Sequence, residues 1–175
     1  MTAARSLGTE GRVWKFGDDI LNDGGITTVD MLRKHVFDPA ILATSCMTGI
    51  DPDFPKKARA GDLIVAGKNF GIGQNHITGP LAIKGLGLGV VTESMTRPFF
   101  RQAVAAGLMM LPFAPGVTLK FDEGDRVSVD YATGEIRNLT RDEVVAVEPL
   151  PELILDFIEA GGEHEWLRKH YGRTA

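Results

Sequence analysis

The feature that most constrains this chain is one continuous stretch: the apolar run Asp62-Leu-Ile-Val-Ala66 passes directly into Gly67-Lys-Asn-Phe-Gly-Ile-Gly-Gln-Asn-His-Ile-Thr-Gly-Pro80. The run is short and bounded by glycines, so it predicts a buried strand rather than a helix. Glycine is then too frequent between Gly67 and Gly73 for regular structure, and Thr78-Gly-Pro80 opens an apolar helix that ends near Gly85 or Gly87. Strand, glycine loop and helix in this order form the first part of a crossover. The pattern then repeats, with a strand over Leu88 to Thr92, a helix over Arg97 to Ala106 and another apolar strand over Leu108 to Leu111. Such alternation implies parallel strands joined by right-handed crossovers, an α/β fold.

On either side the signals are more local. Arg12-Val-Trp-Lys-Phe16 reads as a strand; Thr28 caps a short helix reaching about His35, and Asp38-Pro39 starts another. The last third changes character. Arg126-Val-Ser-Val-Asp-Tyr131 alternates polar and apolar, Thr133-Gly134 turns, and Glu135-Ile-Arg137 returns as a hairpin. Pro151 begins an amphipathic helix to about Ala160, Gly161-Gly162 stops it, and His164 to His170 forms a final short helix. The expected organisation is a flexible leader over residues 1–10, one domain over 11–162, and a C-terminal helix and tail over 163–175. Trp14, Phe16, Phe99 and Phe100 lie in strand or helix patterns and read as core or subunit contacts.

At 175 residues the chain is long enough to bury a core of its own. A formal charge of −4 argues against a partner bound through a nucleic-acid backbone, which calls for clustered Lys and Arg. Stretches such as Leu108 to Phe113 are too short to cross a bilayer, and the N-terminal residues lack a secretory apolar core, so a cytoplasmic protein with no membrane partner is expected. Cys46 is the only cysteine and reads as a small buried hydrophobe. It excludes an intrachain disulfide and an iron-sulfur cluster held by several thiolates of this chain. His35, His76, His164 and His170 have no zinc-like spacing, so no metal site is expected.

The residues of the glycine loop point to chemistry at a helix N-terminus, where backbone N–H groups attract carboxylates and phosphates. A dinucleotide fingerprint fails, because His76 stands where the third glycine belongs, and a phosphate loop fails for want of Gly-Lys-Ser/Thr. From these residues alone two readings stand: an anion-binding loop, or a tight turn without a ligand.

Taken with its neighbours, the segment Asp62 to Gly73 resembles the signature of aconitase-family swivel domains and isopropylmalate dehydratase small subunits. Three further segments agree in order: Gly11 to Asp18, Glu93-Ser-Met-Thr-Arg97-Pro-Phe-Phe-Arg101, and Asn138-Leu-Thr140. The resemblance covers about Gly11 to Gly162. It implies a three-layer β/β/α swivelling domain with a mostly parallel central sheet and a β-hairpin. It also implies a heterodimer whose large subunit carries a four-iron four-sulfur cluster, while the small subunit binds no cofactor, is inactive alone and closes over a small carboxylic acid. The implied activity is a hydro-lyase on a malate-like hydroxy acid, by default 3-isopropylmalate in leucine biosynthesis. Alternatives are a different small hydroxy acid or a non-catalytic regulatory or scaffold subunit.

In that family the loop continues Ser-Ser-Arg, the first serine being the base and the next two residues holding a substrate carboxylate. Here Gln74, Asn75 and His76 occupy those places. Gln has no accessible proton-acceptor state, and His is a cation only when protonated, so the base is left unassigned. Leu21 and Asn22 likewise stand for the first two residues of an Asp-Thr-Asp segment, leaving Asp23 as the match. The substrate-binding set expected from the resemblance is Gly71, Gly73, Gln74, Asn75, His76 and Thr78, with Asp23 and Arg97.

Overall fold

The computed structural model describes residues 7–74 and 76–172. Seven strands form one sheet: β1 (Gly8–Lys15), β2 (Leu63–Ala66), β3 (Gly89–Thr92), β4 (Met110–Leu111), β5 (Arg126–Asp130), β6 (Glu135–Asn138) and β7 (Glu143–Ala146). Their spatial order is β4-β3-β2-β1-β5-β6-β7. β1, β2, β3 and β4 pair in parallel, whereas β1 pairs antiparallel with β5, and the β5–β6 hairpin is extended antiparallel by β7. The α/β expectation holds, with one correction. The sheet is evenly mixed rather than mostly parallel, because β1 is long enough to serve both halves: Val13 to Lys15 pair with β2, and Gly8 to Arg12 pair with β5. The same pairing shortens the expected leader, since Gly8, Thr9 and Glu10 are strand residues bonded across to Asp130, Val129 and Ser128. Residues 1–6 of that leader lie outside the described residues.

The alternation of side chains along the parallel strands separates two cores. One face presents Trp14, Ile64, Ala66, Val90 and Met110 to Leu42, Phe54, Ile83, Phe99 and Ala103 of the helices. These belong to α2 (Pro39–Ala43), α3 (Phe54–Lys57), α4 (Thr78–Gly85) and α5 (Arg97–Ala106). The opposite face presents Val13, Leu63, Val65, Val91 and Leu111 to Val127, Val129 and Ile136 of β5 and β6, with Phe121 and Tyr131 between them. The antiparallel half therefore folds back over the parallel half, giving helices, sheet and sheet in three layers. Burial on both faces explains why β2 and β3 are apolar at nearly every position instead of alternating.

Local chemistry sets the ends of the helices. Thr28 caps α1 (Val29–Arg33) by accepting from the Met31 N–H, and Asp38 caps α2 by accepting from Ala40. α5 ends at Gly107 and α6 (Glu152–Ala160) at Gly161, each in the left-handed region. Lys84 Nζ, half-buried at the end of α4, donates to the carbonyls of Ala106 and Gly161 and so ties the two C-termini together. α7 (Glu163–Tyr171) then packs on α6 through an edge contact of Phe157 with Trp166. At the start of β2, buried Asp62 accepts from the Arg12 and Arg59 N–H groups and from the Trp14 indole, fixing β1 against β2. Trp14 and Phe16 both meet Phe54 edge-on, and Phe99 is fully buried against Phe70, so these aromatics are core residues as read.

Candidate active site

The carboxyl ends of parallel strands are where α/β sheets present their functional loops. β1, β2 and β3 end at Lys15, Ala66 and Thr92, and the segments that follow stay side by side in the strand order. The first two are joined by the bridge Leu21 to Ile72, the second pair by Phe70 to Met95. Asp19 N–H donates to Lys68 O, Gly71 and Ile72 N–H both donate to Ile20 O, and Asn22 N–H donates to Ile72 O. On the other flank Phe70 N–H donates to Ser94 O, Thr96 N–H to Phe70 O, and the Thr96 hydroxyl to Gly71 O. The glycine loop is thus laced to both neighbours along its first half.

Gly71 is required by this lacing. Its φ is +75°, and a Cβ there would sit 2.2 Å from the Phe99 ring. The residue is buried and shapes the loop, while Gly73, with φ of +95°, and Gln74 lie exposed. Asn75 lies outside the described residues.

Beneath the exposed part of the loop, Asn22 is fully buried. Its Nδ2 donates to Asp23 Oδ1 at 2.9 Å and to the His76 carbonyl at 3.1 Å, with the Gln74 carbonyl at 3.4 Å. Its Oδ1 lies where a Cβ of residue 79 would come within 1.9 Å, so Gly79 is the residue that admits the amide. Asn22 Oδ1 and Thr78 Oγ1 are buried without hydrogen-bond partners among the described residues. Leaving a buried polar atom unpaired costs about 1–3 kcal/mol.

The loop and the β1 segment meet most directly through Asp23 and His76. His76 Nδ1 lies 2.6 Å from Asp23 Oδ2. The aspartate side chain is 11% exposed and the histidine side chain 41% exposed, so a nearly buried carboxylate holds an accessible ring. An ionised carboxylate can only accept, so Nδ1 carries the hydrogen toward Asp23, and in the neutral ring Nε2 keeps the lone pair. Asp23 is therefore paired rather than an idle turn residue.

Of the remaining expected site residues, Thr78 is wholly buried as the first residue of α4, so its hydroxyl is not at the surface of the site. Arg97 is exposed at the first position of α5 and has no hydrogen-bond or ion-pair partner among the described residues. A cation at a helix N-terminus opposes the macrodipole, so helix stability does not account for it. Asn22 is the residue sequence reasoning missed. An amide beside Asp23 in an Asp- and Gly-rich turn was the available signal, but its burial under a loop some fifty positions away was not legible.

No group of three His, Cys, Asp or Glu side chains among the described residues could hold a metal ion, and no helix among them is long and apolar enough to cross a membrane. Cys46 is buried within the helical core, where burial pushes its thiol pKa far above the ordinary value.

No model of a known protein family matches the chain. It is 43% identical over 161 residues to the isopropylmalate/citramalate isomerase small subunit of Methanocaldococcus jannaschii, covering 91% of this chain and 94% of that protein. It is 41% identical over 165 residues to 3-isopropylmalate dehydratase small subunit 1 of Methanopyrus kandleri, covering 94% and 95%. Its fold is similar to the crystal structure of 3-isopropylmalate dehydratase from Methanocaldococcus jannaschii, with a TM-score of 0.83 and 36% identity over 93% of this chain and 95% of that one.

Proposed function

The chain belongs to the 3-isopropylmalate dehydratase small-subunit family, and from that premise we propose that it is the small subunit of a heteromeric hydro-lyase that dehydrates and rehydrates a malate-like hydroxy acid. The observation that carries this reading is the lacing of three strand-end loops side by side, two of them joined by the Asp23–His76 pair, with Gln74 and Arg97 exposed. 3-Isopropylmalate is the first substrate to expect, since relatives carry that name. The relative named for both isopropylmalate and citramalate makes a shorter hydroxy acid the second candidate.

The partner is a large subunit bearing a four-iron four-sulfur cluster, which supplies Lewis-acid chemistry at the substrate hydroxyl when bound. One buried cysteine leaves this chain no thiolate set for such a cluster, in keeping with that division. The contribution of this chain is to hold the acid. Gln74 and Asn75 bring side-chain amide donors, Arg97 brings a permanent charge for a carboxylate, and Gly73 belongs to the same loop. Gly71 and Thr78, both buried, set the loop from below. The reduced cytoplasm is the compartment this arrangement suits.

Co-expression with a cluster-bearing large subunit, followed by assays of hydration and dehydration on 3-isopropylmalate and citramalate, tests the proposal. Turnover of either acid is the expected result. A stable complex that turns over neither would mark the chain as a scaffold or regulatory subunit instead.

A further inference from the structure

We propose that Asp23 and His76 form the proton-transfer pair of this enzyme, with His76 Nε2 as the catalytic base and Asp23 as its positioning residue, in place of the hydroxyl that the loop lacks. The inference rests on the hydro-lyase reading above and deepens it by assigning the base.

The proton acceptors on the three loops differ in how they are occupied. Gln74, in register with the expected base, is an amide and cannot take a proton. Asp18 accepts from the Lys68 N–H, Asp19 from the Asn69 side chain, and Glu93 from the Thr118 hydroxyl. Asp23 has both oxygens occupied, Oδ1 by Asn22 and Oδ2 by His76. His76 is different. Its Nδ1 is bonded at 2.6 Å, its Nε2 has no partner among the described residues, and its ring is accessible. Among these groups it is the one whose neutral form keeps an unshared, accessible nitrogen lone pair to take a proton, as a base requires.

The pair is also preorganised. The backbone of residue 76 is held by the Asn22 amide and its ring by Asp23, so consecutive residues of the β1 loop fix both ends of one histidine. Asp23 in turn is steadied by Asn22 and is nearly buried, which limits its freedom to follow water instead of the ring. This is the carboxylate–imidazole logic in which the acid sets the tautomer and stabilises the imidazolium that forms.

Neutral Nε2 removes the proton from the carbon next to a substrate carboxylate. The C–H electron pair becomes the C=C bond, and the hydroxyl on the adjacent carbon leaves with its C–O pair, an acid of the large subunit supplying the proton that makes it water. The abstracted proton stays on His76 as imidazolium against Asp23. Hydration returns it to carbon as hydroxide from water adds to the neighbouring carbon.

The test uses the complex assembled with its large subunit, 3-isopropylmalate and citramalate as substrates, and the variants His76→Gln and Asp23→Asn. Three quantities are read: kcat and KM, deuterium uptake from heavy water into the substrate C–H, and the ¹⁵N signals of His76 in a histidine-labelled small subunit. His76→Gln is expected to lower kcat and deuterium uptake about 100-fold or more, the range for loss of a general base, with KM within about threefold. Asp23→Asn is expected to lower kcat by about 10-fold or more and to change the wild-type ¹⁵N pattern of hydrogen on Nδ1 and bare Nε2. An active wild-type complex whose His76→Gln variant exchanges and turns over normally would overturn the pair and leave the hydro-lyase reading standing. A wild-type histidine with its hydrogen on Nε2 and bare Nδ1 would overturn it without reference to any variant. A wild-type complex inactive on both acids would instead bring down the hydro-lyase reading, and the pair with it.

Discussion

Asn22 shows how much of this site is carried by a residue that no substrate could touch. It is fully buried and spans from Asp23 to the carbonyls of Gln74 and His76, so removing its side chain takes away the amide tie between the β1 loop and the second half of the glycine loop. Asn22→Ala should lower stability by about 1–3 kcal/mol, the cost of orphaning buried hydrogen-bonding groups, which a urea midpoint would report. Amide exchange should quicken around Ile72 to Ile77 before it does in the sheet; unchanged exchange there would show that the loops hold without the amide. Cys46 gives a residue-scale check of the opposite kind. Desolvation raises its thiol pKa, so the reactive thiolate is suppressed in the folded state. A colourimetric thiol reagent at pH 8 should find almost no thiol in the native chain and one per chain after unfolding. Rapid labelling of the native protein would contradict the burial.

The glycine loop is legible at the level of elements, although its reason is not. Gly67 to Gly73 reads as irregular from glycine frequency alone, yet the requirement at Gly71 comes from Phe99, a core residue of α5 on which the loop lies. Gly71→Ala combines a left-handed backbone with a Cβ driven into that ring, and should cost about 2 kcal/mol or more, measured by thermal or urea unfolding. A neutral effect would mean that Phe99 moves aside freely. The C-terminal helices gain a tie of another kind from Lys84. Lys84→Met keeps the length of the side chain but removes the ammonium that caps α5 and α6, and it should loosen α6 and α7 by about 1–2 kcal/mol. Hydrogen exchange confined to Glu152 to Tyr171 would register it, and an unchanged pattern would show that apolar packing of Leu155 and Ile158 suffices.

For the whole molecule, the two cores on opposite faces of the parallel strands explain how a chain with exposed functional loops remains a stable body. The site is an edge of that body rather than an enclosed chamber, with Gly73 and Gln74 open to solvent, and in the proposed complex the large subunit would supply the other wall. The isolated chain should therefore unfold cooperatively, contain far less than one iron-sulfur cluster per chain, and show no dehydratase turnover until the large subunit is added. Iron analysis, thermal unfolding and an assay of the purified chain check this together. Iron near cluster stoichiometry, or turnover by the chain alone, would reverse the proposed division of labour.

What the sequence determined by itself is what depends on near neighbours. Apolar runs between glycines mark β2 and β3, Thr28 and Asp38 cap their helices, and Thr133-Gly134 turns a hairpin, because hydrogen-bond reach and side-chain periodicity act over a few residues. The resemblance carried by the loop and its flanking segments placed Asp23 and His76 among the residues of interest. The double pairing of β1, the short exposed β7 and the fold-back of the antiparallel layer were decided only in three dimensions, since each depends on which distant strand lies alongside. The same is true of the site's central contact. Asp23 and His76 are 53 positions apart, and their pairing depends on Asn22 being buried beneath the loop, a matter of packing that no local pattern encodes.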